Sequence, residues 1–168
     1  SRYLPIMVRC VRELMRRDMK PFLLVHGGIQ DEWLAEQISA EAGGIPVFVE
    51  DDPRLVKGVI GASFALIGSR FHGLVSALSQ GVPSLTFGWS HKYSELFAEY
   101  RFREGIVDIE VGDEELGSKL DWILDEANNR RLSLALLKES DRFKHLSDAM
   151  WESIFAVIAQ TSLVPKGK

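Results

Sequence analysis

Arg70 and His72, set two residues apart in Ser69-Arg70-Phe71-His72-Gly73, are the side chains whose types and spacing best suit an anion. Arginine offers phosphate or carboxylate a planar fork of N–H donors. Histidine exchanges a proton near neutral pH. From 53 to 94 the chain has neither Asp nor Glu, yet it carries Arg54, Lys57, Arg70, His72, His91 and Lys92. The whole chain has a net charge of -4, so composition alone does not clear the acids from this stretch. Burial of an apolar segment accounts for part of the clearing, but not for where the cations fall. An anion site accounts for both.

The elements that must position these residues follow from hydrophobic periodicity. Leu4, Met7, Val8, Val11, Leu14 and Met15 recur at helical spacing, and Pro21 is expected to stop that helix. Phe22-Leu23-Leu24-Val25 predicts a buried strand ending in His26-Gly27-Gly28. A helix over 31–42 closes at Gly43-Gly44, and a second strand covers 45–49. Asp52-Pro53 is a helix start, with Asp as the cap and Pro in the first helical position. A third strand covers 64–67, a helix 71–80, a fourth strand 84–87, a helix 93–100 and a fifth strand 106–109. Asp113 is expected to cap a helix reaching Ala127. The last helical region, 132–160, carries an apolar stripe of Phe143, Leu146, Met150, Trp151, Ile154, Phe155 and Ile158. The tail from 161 to 168 reads as disordered.

Apolar strands alternating with helices predict an α/β domain: a Rossmann-like, doubly wound parallel sheet of five strands with helices on both faces. In such sheets ligands bind beyond the carboxyl ends of the strands. His26-Gly27-Gly28, Glu50-Asp51-Asp52, Ser69 to Gly73 and Gly88 to Lys92 should therefore gather along one rim. There the first turn of the helix after Arg70 presents free N–H groups and the positive end of its dipole to an anion. Ser69 is expected to cap that helix and donate to the ligand. Lys92, with His91 beside it, would neutralise a second anionic oxygen. Gly27 lets backbone approach a ligand closely. Trp89 reads as a core or lid residue, with stacking on a sugar or base as the other role. Glu50, Asp51 and Asp52 read as solvated or capping.

The same reading excludes several classes. The net negative charge and the lack of basic runs argue against a nucleic-acid groove. No apolar run approaches the roughly 20 residues that span a bilayer. Ser1-Arg2-Tyr3-Leu4-Pro5 lacks the charged-then-apolar pattern of a signal peptide. A single Cys10 permits no internal disulfide and suits a reducing compartment. The histidines are scattered, so no metal is expected. No Gly-x-Ser-x-Gly elbow frames Ser69.

The run Ala65-Leu66-Ile67-Gly68-Ser69-Arg70-Phe71-His72-Gly73-Leu74-Val75-Ser76-Ala77-Leu78-Ser79-Gln80-Gly81-Val82-Pro83 resembles the signature of the polysaccharide pyruvyl transferase family. Gly88-Trp89-Ser90-His91-Lys92-Tyr93-Ser94-Glu95-Leu96 is similar to that family's Lys-bearing segment. The resemblance implies the C-terminal domain of a two-domain, GT-B-like enzyme whose N-terminal domain precedes these residues. The opening helix, where a complete doubly wound domain would open on a strand, agrees with that. It further implies transfer of pyruvate from phosphoenolpyruvate to a sugar or lipid-linked oligosaccharide, as a ketal, in surface-polysaccharide synthesis. His72 and Arg70 would be the catalytic pair. Arg70, Ser69, Gly73, Lys92, His91 and Gly27 would bind substrate, and no cofactor would be needed. The expected location is the cytoplasm, either free or peripheral at the inner face of the membrane.

Two other readings make different demands. A nucleotide-sugar glycosyltransferase of the same architecture is expected to carry a Glu on the 71–80 helix to hold ribose, and none is there. A non-catalytic glycan-binding or partner-binding domain would show no anion site at Arg70 and an exposed apolar patch instead. The enzymatic reading requires Arg70 and His72 to face the mouth of the third strand without being neutralised by neighbouring carboxylates.

Overall fold

The computed structural model describes residues 2–88 and 90–162. Helix α1 (Tyr3–Arg16) buries Ile6, Met7, Cys10 and Val11 on one face. It ends before Pro21 is reached, because Asp18 turns left-handed at φ 57. Strand β1 (Leu23–Val25) leads through the glycine turn into α2 (Ile29–Ala42), which closes at Gly43 with φ 116 as expected. Strand β2 (Val47–Val49) pairs parallel with β1, Leu24 opposite Phe48. Asp52 caps α3 (Pro53–Gly61) by accepting the Arg54 N–H at 2.8 Å. Strand β3 (Leu66–Ile67), α4 (Phe71–Ser79) and β4 (Ser84–Leu85) form a parallel strand-helix-strand unit, with Ile67 opposite Leu85. Then come α5 (His91–Glu99), a 3-10 turn (Arg103–Gly105), α6 (Asp113–Leu124) and α7 (Glu126–Ser162).

The alternation and the parallel pairing agree with the sequence reading, but the continuous five-strand sheet does not form. The strands make two separate two-stranded parallel sheets, β1-β2 and β3-β4. The expected fifth strand is reduced to one bridge, Thr86 with Ile106. It stops there because Asp108 turns the chain, accepting the Glu110 N–H on its side chain at 2.8 Å and the Val111 N–H on its carbonyl at 3.1 Å. Two further corrections concern helix ends. Gly112, not Asp113, occupies the N-cap of α6, and Asp113 joins Glu114 and Glu115 in a first turn that complements the helix dipole. Asp125 breaks α6 from α7 in extended backbone, and its carboxylate then accepts the Asn128 N–H at 2.8 Å. The first two residues of the expected tail, Thr161 and Ser162, belong to α7, and the rest of it lies outside the described residues.

Helices cover both faces of the strands. Ile67, Leu85 and Phe87 pack with Ile6, Val11, Ile38 and Leu120 from α1, α2 and α6. Leu66 turns the other way, towards Leu74, Leu78, Phe97 and Leu136 from α4, α5 and α7. Alternate side chains along one strand thus feed opposite cores. Phe97 anchors the second core: it is fully buried and stacks on Phe102 at 5.8 Å. Beyond Phe143, which packs on Tyr100, the apolar stripe of α7 is solvent-exposed at Leu146, Met150, Trp151 and Phe155. Among the described residues no helix is long and apolar enough to cross a membrane.

Cys10 is 1% exposed, and burial pushes its thiol up to about 12. Nucleophilic thiolate is therefore scarce at neutral pH. In native protein at pH 8, iodoacetamide should leave Cys10 unmodified over hours, whereas in denaturant it should alkylate it fully. Mass spectrometry of the two samples checks this.

Candidate functional site

A cavity of about 1380 Å³ opens where β1 and β3 fail to pair. Its walls are apolar residues of α1, α2, β1 and β3, and its mouth carries His26, Asp31, Ser69, Arg70, Lys92 and Tyr93. Three helix N-termini belong to this mouth: those of α2, α4 and α5. The N-caps of α4 and α5, Arg70 and Ser90, make no side-chain capping bond, and neither first turn holds an acid. Their first N–H groups are thus not taken by capping side chains. Ser69 does not cap α4 as expected, since Arg70 occupies that position.

Ser69 instead ties the mouth together through its backbone. The Tyr93 hydroxyl donates to the Ser69 carbonyl at 2.5 Å, fixing α5 against the turn after β3. Gly88 makes room for this: a Cβ there would lie 2.7 Å from Cγ of the Tyr93 ring. Tyr3 of α1 reaches the same turn. Burial raises its phenol above the ordinary value, against the lowering effects of hydrogen bonds with Ser69 and of the Arg70 charge.

The cations are placed unevenly. Arg70 lines the cavity with its side chain 64% exposed, but it is ion-paired through Nη2 to Oδ1 of Asp31, whose side chain is 18% exposed. The requirement that no neighbouring carboxylate neutralise Arg70 is therefore not met: the segment 53–94 has no acid of its own, but α2 supplies Asp31. A guanidinium has five N–H donors, so one bond leaves most of the fork available. Lys92 is exposed at the mouth, its Nζ 5.2 Å from the ring centres of both Phe71 and Tyr93. His72 is the second residue of α4, exposed, with its ring edge-on to Phe71 at 6.0 Å. Contrary to the expectation that it meets Arg70 at the mouth, it does not line the cavity but sits outside it, with Phe71 as the neighbour it shares with Lys92.

The other expected site residues divide. Gly73 is buried on the cavity wall, and a Cβ on it would come within 3.7 Å of His26 Nε2. Gly27 lies against Asp31 and Arg70: a Cβ there would sit 2.8 Å from Asp31 Cγ and 3.4 Å from Arg70 Nη2. His91 is exposed, pairs with Glu95 at 3.3 Å and does not line the cavity. Glu50 and Asp52 are local capping groups, as read from sequence, but Glu50-Asp51-Asp52 does not line the cavity, which corrects its expected place on the rim. Trp89 lies outside the described residues.

Asp31, Tyr3 and Tyr93 are the mouth residues that sequence reasoning did not single out. For Asp31 the available signal was an acid in the first turn of a helix that follows a strand and a Gly-Gly turn. The arrangement as a whole can hold a small anion between helix N-termini, with Lys92, a partly occupied Arg70 and the His26 imidazole at the mouth and His72 outside the cavity.

In a comparison with known families, the family described as Polysaccharide pyruvyl transferase matches residues 2–91. That span contains α1 through β4, with Ser69 to Gly73 inside it. No curated protein and no solved structure matches the chain.

Proposed function

Since the chain belongs to the polysaccharide pyruvyl transferase family, which is a family of transferases, we propose that it is the donor-binding domain of an enzyme that moves pyruvate from phosphoenolpyruvate onto a sugar. In this reading it forms the C-terminal, Rossmann-like half of a GT-B-like enzyme. The acceptor is a sugar, either free in a polymer or carried on a lipid-linked oligosaccharide of surface-polysaccharide synthesis.

The observation that carries the proposal is the meeting of the α4 and α5 N-termini, uncapped by side chains and free of acids in their first turns, beside Arg70 and Lys92. Phosphoenolpyruvate presents a phosphate and a carboxylate, two groups that need helix N-termini and cations. In the proposed chemistry His72 delivers a proton to the methylene carbon, which becomes the methyl group. C2 then carries oxocarbenium-like charge, and a sugar hydroxyl adds there as it gives up its proton. A second hydroxyl of the same sugar attacks C2, its proton passes to the departing phosphate, the C2–O bond to phosphate breaks, and inorganic phosphate leaves. Arg70 and Lys92 offset the charge that gathers on the departing phosphate. The scheme requires no cofactor.

Titration calorimetry on the full-length gene product tests the assignment. Phosphoenolpyruvate should bind with one-to-one stoichiometry, and uridine diphosphate at the same concentration should give no heat. Binding of the nucleotide without phosphoenolpyruvate would assign the protein to nucleotide-sugar chemistry instead.

A further inference from the structure

We propose that Asp31 is a positioning residue of the donor site: it fixes the Arg70 guanidinium at the cavity mouth and offsets its charge, while the unused N–H groups of Arg70 receive the incoming anion. The inference rests on the pyruvyl-transfer reading for the identity of that anion.

Asp31 comes from outside the acid-free segment and is held by its surroundings. It lies in the first turn of α2, its carboxylate packs over the backbone of Gly27, and its side chain is far less exposed than that of Arg70. The absence of a side chain at 27 makes this seat possible, since a Cβ would fall 2.8 Å from Asp31 Cγ. Only Oδ1 of Asp31 and Nη2 of Arg70 are engaged, so Nε and Nη1 have no protein partner among the described residues. A long, exposed arginine is thereby confined to one place, with part of its fork left open.

The pair as a whole is neutral. A donor with two anionic groups arriving at the mouth meets an oriented dipole from this pair, and positive potential from Lys92 and the N-termini of α4 and α5. Such a site selects by geometry and does not trap the phosphate that must leave at the end of the reaction. Removing the Asp31 charge while keeping its shape should upset both properties in opposite senses. Attraction for the donor rises, whereas the guanidinium loses its charged anchor.

The test is Asp31→Asn in the full-length enzyme, with kcat, KM and calorimetric affinities for phosphoenolpyruvate and for inorganic phosphate. Both anions should bind roughly three- to tenfold more tightly, as expected for one unit charge removed a few ångströms away under partial screening. The kcat should fall about tenfold, so that KM and kcat decline together. Gly27→Ala, which pushes the carboxylate off its seat without changing any charged residue, should lower kcat as well. Affinities and kcat within twofold of wild type in Asp31→Asn, or weaker binding of both anions, would overturn the inference. The two readings fail separately. If wild type does not bind phosphoenolpyruvate, pyruvyl transfer is excluded, yet tighter phosphate binding by Asp31→Asn still supports the role of Asp31. If wild type binds phosphoenolpyruvate and Asp31→Asn behaves identically, only the role of Asp31 is lost.

Discussion

Pyruvyl transfer by the full-length enzyme is expected to fall by roughly 10²- to 10⁴-fold in His72→Ala, the range of a lost general acid, with phosphoenolpyruvate affinity kept within about threefold. The large loss and the small one have separate causes. Protonation of the methylene carbon has no other donor in the proposed scheme, so the rate depends on the imidazole. Binding is carried by fixed cations and helix N-termini, which the substitution leaves in place. The fold should tolerate the change too. His72 is exposed on the second position of α4, touches Phe71 only edge-on, and is replaced by the best helix former. Steady-state release of phosphate, measured with and without added imidazole, checks the assignment, and partial rescue by imidazole is expected. Wild-type turnover in His72→Ala would remove it from the mechanism.

Arg70→Ala should weaken phosphoenolpyruvate binding by about 10²-fold or more, the largest effect on affinity of any single substitution at the mouth. Loss of charge-assisted hydrogen bonds accounts for part of this. The rest comes from Asp31, which would remain as a mostly buried carboxylate without its ion-pair partner, repelling the donor. One substitution thus takes the pair from neutral to negative. Asp31→Asn should recover more affinity in the Arg70→Ala background than it gains in the wild-type background, a non-additivity that direct contact produces and distant sites do not. Calorimetry on the wild type and the three variants completes the cycle. Strictly additive effects would show that Asp31 and Arg70 do not act as a pair.

The parts of this site that were legible in the sequence are those set by short-range rules. Ser69 to Gly73 falls on a strand-to-helix turn because the apolar strand and the amphipathic helix on either side are both written locally. Asp52 before Pro53 specified its helix start for the same reason. What stayed hidden depends on contacts between remote segments. Arg70 and Asp31 are 39 positions apart, and nothing local in either segment marks the other as its partner. Strand pairing is likewise non-local. Leu23-Leu24-Val25 and Leu66-Ile67 are apolar enough to be neighbours, yet each pairs on one side only and the cavity lies between them. The helix expected to reach Ala127 stops at Leu124 because Asp125 takes extended backbone and caps α7 with its carboxylate.

The central claim is that phosphoenolpyruvate is received where the N-termini of α4 and α5 meet, against Arg70 and Lys92 and within reach of His72. Crystals of the full-length His72→Ala protein soaked with phosphoenolpyruvate would test it most directly. The account predicts density for an intact donor, its phosphate and carboxylate against the first turns of α4 and α5, with Arg70 still paired to Asp31. Donor density elsewhere in the protein, with these first turns bound only by solvent, would contradict it.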